Sequence, residues 1–306
     1  MRQLGQYPPP RHVLAHLSDP HLLAGNVRQY GVVDTEAGLA RVLERLAEVD
    51  PRPHALVFTG DLADRAEPDA YRRLREIVEP AAEAMGAEVV WTMGNHDERE
   101  PYARGLFGES GDRPQDRVHE VDGLRIVSLD TSVPGYHHGD LTHDQLAWLR
   151  DVLAEPAPHG TILAMHHPPL PLPMLPAAEL IELLDQDRLA AVVEGTDVRG
   201  ILAGHLHFST WSTFAGVPVS VASASCYTSD PVPRPDRFVS GVDANQAFTM
   251  VHAYDDRLVH TIVPLEQGAE VTHVTLGTVA PMEDLELDQI HELASSKASP
   301  FNVGEV

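Results

Sequence analysis

Five short apolar runs in this 306-residue chain each end in a side chain able to hold a metal ion, and that repetition limits the available folds more than any other feature. The first run, Val13 to Leu17, leads into Asp19-Pro20-His21. The second, Ala55 to Thr59, leads into Gly60-Asp61, and the third, Glu88 to Met93, into Gly94-Asn95-His96-Asp97. The fourth, Thr161 to Met165, ends in His166-His167, and the fifth, Gly200 to Ala203, in Gly204-His205-Leu206-His207. In open α/β sheets, functional groups collect beyond the carboxyl ends of the strands. Residues far apart in the chain are therefore predicted to meet in one place.

The segments between these runs read as helices. Thr35 to Val49 repeats Leu39, Val42, Leu43 and Leu46 at helical spacing, and a second helix runs from Pro68 to Met85, with Pro in its first turn and Gly86 just past its end. A helix over Glu98 to Leu106 precedes two β runs, Arg117 to Val121 and Leu124 to Leu129, joined by the hairpin dipeptide Asp122-Gly123. Thr142 is the expected N-cap of a helix reaching Leu153. After the proline-rich loop Pro168 to Pro176, a helical pair is expected over Ala177 to Glu194. From Gly200 the β runs come close together, at Gly200 to Ala203, Thr210 to Phe214, Val217 to Ala222, Ala247 to Tyr254 and Leu258 to Val263, and predict a mostly antiparallel sheet in the second half. Two facing sheets with helices outside would use every element in one α/β domain over 12–280. An N-terminal extension, 1–11, would precede it, and an acidic tail, 281–306, would follow, its last dozen residues mobile.

Composition removes several classes of function. A formal net charge of -24 argues against binding to nucleic acid polymers, whose affinity comes mainly from Lys and Arg displacing counterions. The single cysteine, Cys226, excludes an intrachain disulfide and a thiolate metal cluster, and reads as a small buried hydrophobe with Tyr227 beside it as a candidate for stacking on a base. Met1 to Arg11 has no apolar signal region and no run of 18 apolar residues occurs, so no transmembrane segment and a cytoplasmic location are expected.

Any metal site must then be built from His, Asp and Asn. Asp19, His21, Asp61, Asn95, His166, His205 and His207 make seven candidate ligands, too many for one tetrahedral ion with an open position. If Asp61 is shared, two ions receive four each. A carboxylate can hold one cation on each oxygen at the roughly 3.5–4 Å separation of two-metal hydrolases. Asp19 with His21, and His205 with His207, are i, i+2 pairs that point to one side of an extended chain. Glycines 60, 94 and 204 would allow a sharp turn and close approach. Nitrogen and oxygen donors without sulfur suit iron, manganese, zinc or cobalt better than magnesium or calcium.

The set Asp-x-His, Gly-Asp-x-x-Asp, Gly-Asn-His-Asp, His-His and Gly-His-x-His, at 19–21, 60–64, 94–97, 166–167 and 204–207, resembles the calcineurin-like metallophosphoesterase superfamily. Asp34, Val57 to Asp64, Leu129 to Gly135 and Val219 to Ala224 resemble more narrowly its actinobacterial class III cyclic-nucleotide phosphodiesterases, over residues 12 to 265. The resemblance implies a four-layer α/β/β/α sandwich of two facing mixed sheets flanked by helices. It implies one ion on Asp19, His21, Asp61 and His207 and the other on Asp61, Asn95, His166 and His205, the metals being iron with manganese, two manganese ions, or zinc. Hydrolysis of 3',5'-cyclic nucleotides such as cyclic AMP, with 2',3'-cyclic nucleotides as further substrates, and a homodimer are implied as well. On that footing a hydroxide bridging the two ions would attack phosphorus in line, with His96 stabilising the equatorial oxygens or protonating the leaving ribose oxygen and Asp64 accepting its other N–H. Substrate contacts are expected from Asn95, His96, His207 and the loop residue His138, whereas His167 should point away. The runner-up keeps the metals and changes the substrate to other small or lipid-linked phosphates. Loops 23–33, 132–139 and 224–244 would make that choice. A non-catalytic interaction scaffold would have lost His96 or several ligands, and all are here.

Overall fold

The computed structural model describes Gln6–Ala298. The expectation of a mobile C-terminus falls mostly on 299–306, outside the described residues. In chain order, β1 (His12–Leu17), α1 (Thr35–Ala47), β2 (Ala55–Thr59), α2 (Pro68–Met85), β3 (Glu88–Thr92) and α3 (Arg99–Phe107) alternate strand with helix. Then come β4 (Arg117–Val121), β5 (Leu124–Leu129), α4 (His143–Val152), β6 (Thr161–Met165), α5 (Gln186–Val193) and β7 (Val198–Ala203). The remaining strands are β8 (Thr210–Phe214), β9 (Val217–Val221), β10 (Thr228–Ser229), β11 (Gly241–Val242), β12 (Ala247–Ala253) and β13 (Leu258–Pro264).

Local chemistry sets the boundaries. Pro68 opens α2 and Gly86, at φ 72°, closes it in the left-handed region that glycine enters without steric cost. Thr142 caps α4 in a reciprocal box with Gln145. Between β4 and β5 the chain reverses through Asp122 (φ 48°) and Gly123 (φ 87°), the double positive φ of a tight hairpin. The helical pair expected over 177–194 is instead a single 3₁₀ turn, Ala178–Ile181, and the short α5. Asp185, in the left-handed region at φ 47°, interrupts the path between them.

One sheet has the order β13-β12-β1-β2-β3, the other β4-β5-β6-β7-β9-β8, and both are mixed. The antiparallel second-half sheet read from the sequence does not form. β5, β6, β7 and β9 run parallel, while β12 and β13 cross over to pair antiparallel beside β1 in the first sheet. Burial explains the choice. β12 is buried at six of its seven positions and must be covered on both faces, which a strand beside β1 achieves. β8 alternates half-buried and exposed residues and stays at an edge, while its hairpin partner β9 brings Val219 and Val221 into the interior.

Strand alternation sorts the apolar side chains into layers. Leu14, Val57, Val90, Ile126, Ile162 and Leu202 fill the space between the sheets. Ala15, Leu17, Leu56 and Phe58 face the helix layer of α1 and α2 through Leu39, Val42, Tyr71 and Leu74. Val127, Leu129, Leu163 and Met165 face α4 and α5 through Leu146, Leu149, Leu189 and Val192. The result is a four-layer α/β/β/α sandwich within a unit spanning Pro10–Glu266. A second, smaller unit comprises 6–9 with 267–298, whose regular structure is short helical turns such as Leu276–Val279 and Leu287–Ile290. Among the described residues no helix is long and apolar enough to cross a membrane.

Candidate functional site

The carboxyl ends of β1, β2 and β3 in one sheet and of β6 and β7 in the other open at the same edge of the sandwich, joined there by His166 Nδ1–H donating to the Thr59 carbonyl at 2.7 Å. The residues just beyond these ends are bent hard. Asp19, His21, Asp61, His205 and His207 all have φ between 45° and 73°, a region that costs a non-glycine residue about 1 kcal/mol or more. The i, i+2 pairs are therefore not the extended dipeptides the spacing suggests. His205 and His207 turn to opposite halves of the site. Gly204 is required by contact: a Cβ there would lie 1.9 Å from Ser18 Oγ and 2.7 Å from Asp19 Oδ2. At Gly60, with φ 97°, a side chain would be strained and would meet the His166 ring.

Distances divide the candidate ligands into two groups that share one atom. In the first, His21 Nε2 lies 3.2 Å from His207 Nε2, 4.0 Å from Asp19 Oδ1 and 3.4 Å from Asp61 Oδ2, with His207 Nε2 3.4 Å from Asp19 Oδ1. In the second, His166 Nε2 lies 3.0 Å from Asn95 Oδ1, 3.2 Å from His205 Nδ1 and 3.3 Å from Asp61 Oδ2. The sharing differs from the one-cation-per-oxygen arrangement expected from the sequence. Asp61 Oδ1 accepts the His96 backbone N–H at 2.8 Å, so Oδ2 alone faces both groups.

Each imidazole is anchored through its other nitrogen. His21 Nδ1–H donates to Asp64 Oδ1 (3.0 Å), His207 Nδ1–H to the Tyr227 carbonyl (2.9 Å) and His205 Nε2–H to the Ile181 carbonyl (2.9 Å). A carbonyl or carboxylate can only accept, so these bonds place a proton on the outer nitrogen and turn the other ring nitrogen inward. Two pairs of inward-facing ring nitrogens then stand 3.2 Å apart, in a site where Asp19 and Asp61 are almost wholly buried. Such a donor set fits a pair of cations. The electrostatics carry the same demand: burial opposes a charged His166, but the Asp61 and Asp19 carboxylates overcome it and raise the ring to about 9. At His205 the same carboxylates are outweighed, and burial with His167 and His166 drives the ring well below the usual range.

The remaining candidates fall into place around this centre. Asn95 Nδ2–H donates to His137 Nδ1 at 2.9 Å, which turns its Oδ1 toward His166. His96 stands edge-on to His21, ring centres 4.7 Å apart, and its Nδ1–H is held by the Asp64 backbone carbonyl at 2.9 Å. The carboxylate of Asp64, which the sequence reading gives to His96, lies 4.0 Å from that nitrogen and binds His21 and Gln29 Nε2–H (2.7 Å) instead. The reason is steric: the turn after Asp61 presents its carbonyl to His96 and its side chain to the β1 loop. His138 does not line the cavity; it packs at a tilt against Tyr136, with ring centres 5.2 Å apart, and the loop residue that reaches the cavity is His137. His167 is buried with both nitrogens taken, Nε2–H donating to the His137 carbonyl and Nδ1 accepting from the Thr131 hydroxyl.

Sequence reasoning assigned no role to Asp97. It is 2% exposed and accepts the backbone N–H groups of Leu62, Ala63 and Gly94 and the Tyr71 hydroxyl, clamping the loops after β2 and β3 together. Burial and the neighbouring Asp61 charge push its carboxyl up to about 6. Its place at the end of Gly-Asn-His-Asp was the available signal. The site opens into a cavity of about 350 Å³ lined by His21, Asn95, His96, His137, His207 and Tyr227 among others. That is the scale of a small-ligand pocket.

The model of the calcineurin-like phosphoesterase family matches residues 12–209. The chain is 53% identical over 274 residues to a cAMP/cGMP dual specificity phosphodiesterase of Mycobacterium tuberculosis, covering 89% of this chain and 86% of that protein. It is 31% identical over 221 residues to the glycerophosphodiester phosphodiesterase GpdQ of Enterobacter lignolyticus, covering 70% and 78%. Among solved structures, a dimetal phosphatase from Danio rerio aligns with a TM-score of 0.60 at 17% identity, over 84% of this chain and 98% of that one, a likeness of fold alone.

Proposed function

This chain belongs to the calcineurin-like phosphoesterase family, and on that premise we propose that it is a dinuclear metal-dependent phosphodiesterase hydrolysing 3',5'-cyclic nucleotides such as cyclic AMP. The observation that carries the substrate is the 53% identity, across nine-tenths of the chain, to a protein named for cyclic AMP and cyclic GMP. Asp19, His21, Asp61 and His207 would hold one cation, and Asp61, Asn95, His166 and His205 the other. Iron with manganese is the proposed pair, a choice supported by nitrogen and oxygen donors without sulfur. When bound, the cations supply the Lewis acidity and the activated water that phosphoester hydrolysis needs near neutral pH.

The protein's own groups do the rest. Asp64, Tyr227, Thr59 and Ile181 aim four imidazoles, so little reorganisation is left for the reaction. His96 has Nδ1–H committed to the Asp64 carbonyl, so the proton it exchanges with the departing ribose oxygen is the one at Nε2. His207 and Asn95 are within the same cavity and would meet the phosphoryl oxygens. A homodimer in the cytoplasm belongs to the same proposal, and sedimentation reads its oligomeric part.

A panel of cyclic AMP, cyclic GMP, 2',3'-cyclic AMP and bis(p-nitrophenyl) phosphate, assayed with defined metals, tests the reading. The expected result is a kcat/KM for cyclic AMP above that for the aryl ester. Cyclic AMP turned over no better than the aryl ester sinks it and favours the second reading, another small phosphodiester, which the likeness to GpdQ supports.

A further inference from the structure

Beside the metal-lined cavity lies a second one of about 430 Å³, and the two share Tyr227, Ser229 and Val239. Its other walls are Tyr30, Val32 and Val33 from the loop after β1, Gly241 and Val242 from β11, and Asp243 just after it. We propose that this second cavity is the subsite for the purine base of the substrate, with the Tyr30 ring as the surface the base lies on. The proposal rests on the cyclic-nucleotide reading given above and adds where the base goes.

Three observations lead there. First, the cavity adjoins the metal-lined one on the His207 side, the two sharing three wall residues and the Tyr227 ring standing 4.6 Å from the His207 ring, so a phosphate near His207 leaves the rest of the nucleotide within reach of it. Second, its wall is apolar and uncovered: Tyr30 is 74% exposed, Val32 64% and Val239 54%. Aromatic and branched side chains so placed at the mouth of a site gain from a planar apolar ligand. Third, the wall is built in advance. Tyr30 sits at φ 51° in a turn closed by Gly31 N–H to the Arg28 carbonyl and by Gln29 pairing with Val33. Gln29 is buried and donates to Asp64, the carboxylate that orients His21. On the other side Gly241 lets the strand pair press on Tyr227, because a Cβ there would lie 2.7 Å from the ring. Tyr30 and Tyr227 meet edge-on with ring centres 5.6 Å apart.

The test uses the metal-loaded full chain, cyclic AMP and adenosine, which carries a base but no phosphate. Adenosine is expected to inhibit hydrolysis of bis(p-nitrophenyl) phosphate competitively. Tyr30→Ala should raise the KM for cyclic AMP and the Ki of adenosine together by roughly tenfold, with a much smaller change in kcat, while Tyr30→Phe keeps both near wild type. Circular dichroism melts of the two variants check that each is folded. If adenosine does not inhibit, or Tyr30→Ala leaves the adenosine Ki where it was, the subsite is overturned. If the wild type cleaves the aryl ester and no cyclic nucleotide, the substrate reading fails instead, and the adenosine Ki still decides the subsite.

Discussion

Asp64 holds two side chains at once, His21 through one bond and Gln29 through another, and its backbone carbonyl holds a third, His96. Removing the carboxylate should therefore disturb the metal rather than the acid. Asp64→Ala is expected to lower affinity at the His21 side by roughly 10- to 100-fold, the usual loss for a group that orients a ligand. His96→Ala should cut turnover by about 100-fold or more with metal content retained. Metal analysis after dialysis, set beside kcat, separates the two. Equal metal content in both variants would refute the assignment. Position 64 was legible as important from its spacing after Asp61, but which ring it binds was not. His21 and His96 stand close together in space, and only the path of the turn decides which meets the side chain and which the carbonyl. His137 and His138 were likewise inseparable in the sequence, because a loop has no period to say which neighbour faces inward.

At the scale of elements, the loops after β2 and β3 are held by one buried carboxylate. Asp97→Ala would leave three backbone N–H groups and a tyrosine hydroxyl without their acceptor. At about 1–3 kcal/mol for each unsatisfied buried donor, partly relieved by relaxation, a loss of about 3–5 kcal/mol is expected. Urea unfolding of the metal-free protein reads it, and a loss under about 1 kcal/mol would show that the loops are held by other contacts. The strands bearing the site were readable because each combines a short apolar run with a polar stop. The partnering of β12 and β13 was not. An apolar run states that it will be buried and is silent on which sheet buries it, and the antiparallel slot beside β1 is created only once both sheets exist.

For the molecule as a whole, histidines buried outside the metal ligand set make the fold sensitive to acid. His16 is wholly buried, bonded to the Thr59 hydroxyl, and burial lowers its ring to about 3. Burial lowers His12 and His260 to about 4. The folded state keeps these rings neutral where the unfolded chain protonates them. The stability they allow is present above about pH 6.5 and is lost as the pH falls toward those lower values. His16 alone should remove about 2 kcal/mol between pH 7.5 and pH 5. Denaturant unfolding of the metal-free protein should show His16→Asn losing about 2 kcal/mol less than the wild type between pH 7.5 and pH 5. Equal losses would contradict it.

The chemistry of the centre and the layers that carry it are written in the order of residues along the chain. Metal-competent residues stand where apolar runs stop, and a strand period of two sends alternate side chains to opposite faces. Tertiary structure decided what those residues touch. That Asp61 offers only Oδ2 to both sides, that Asp64 turns to His21, and that Tyr30 comes to stand beside Tyr227 all depend on loops from different strands meeting at one edge. Hydrogen bonds between residues dozens of positions apart carry no local periodicity. Their geometry exists only after the sheets have packed.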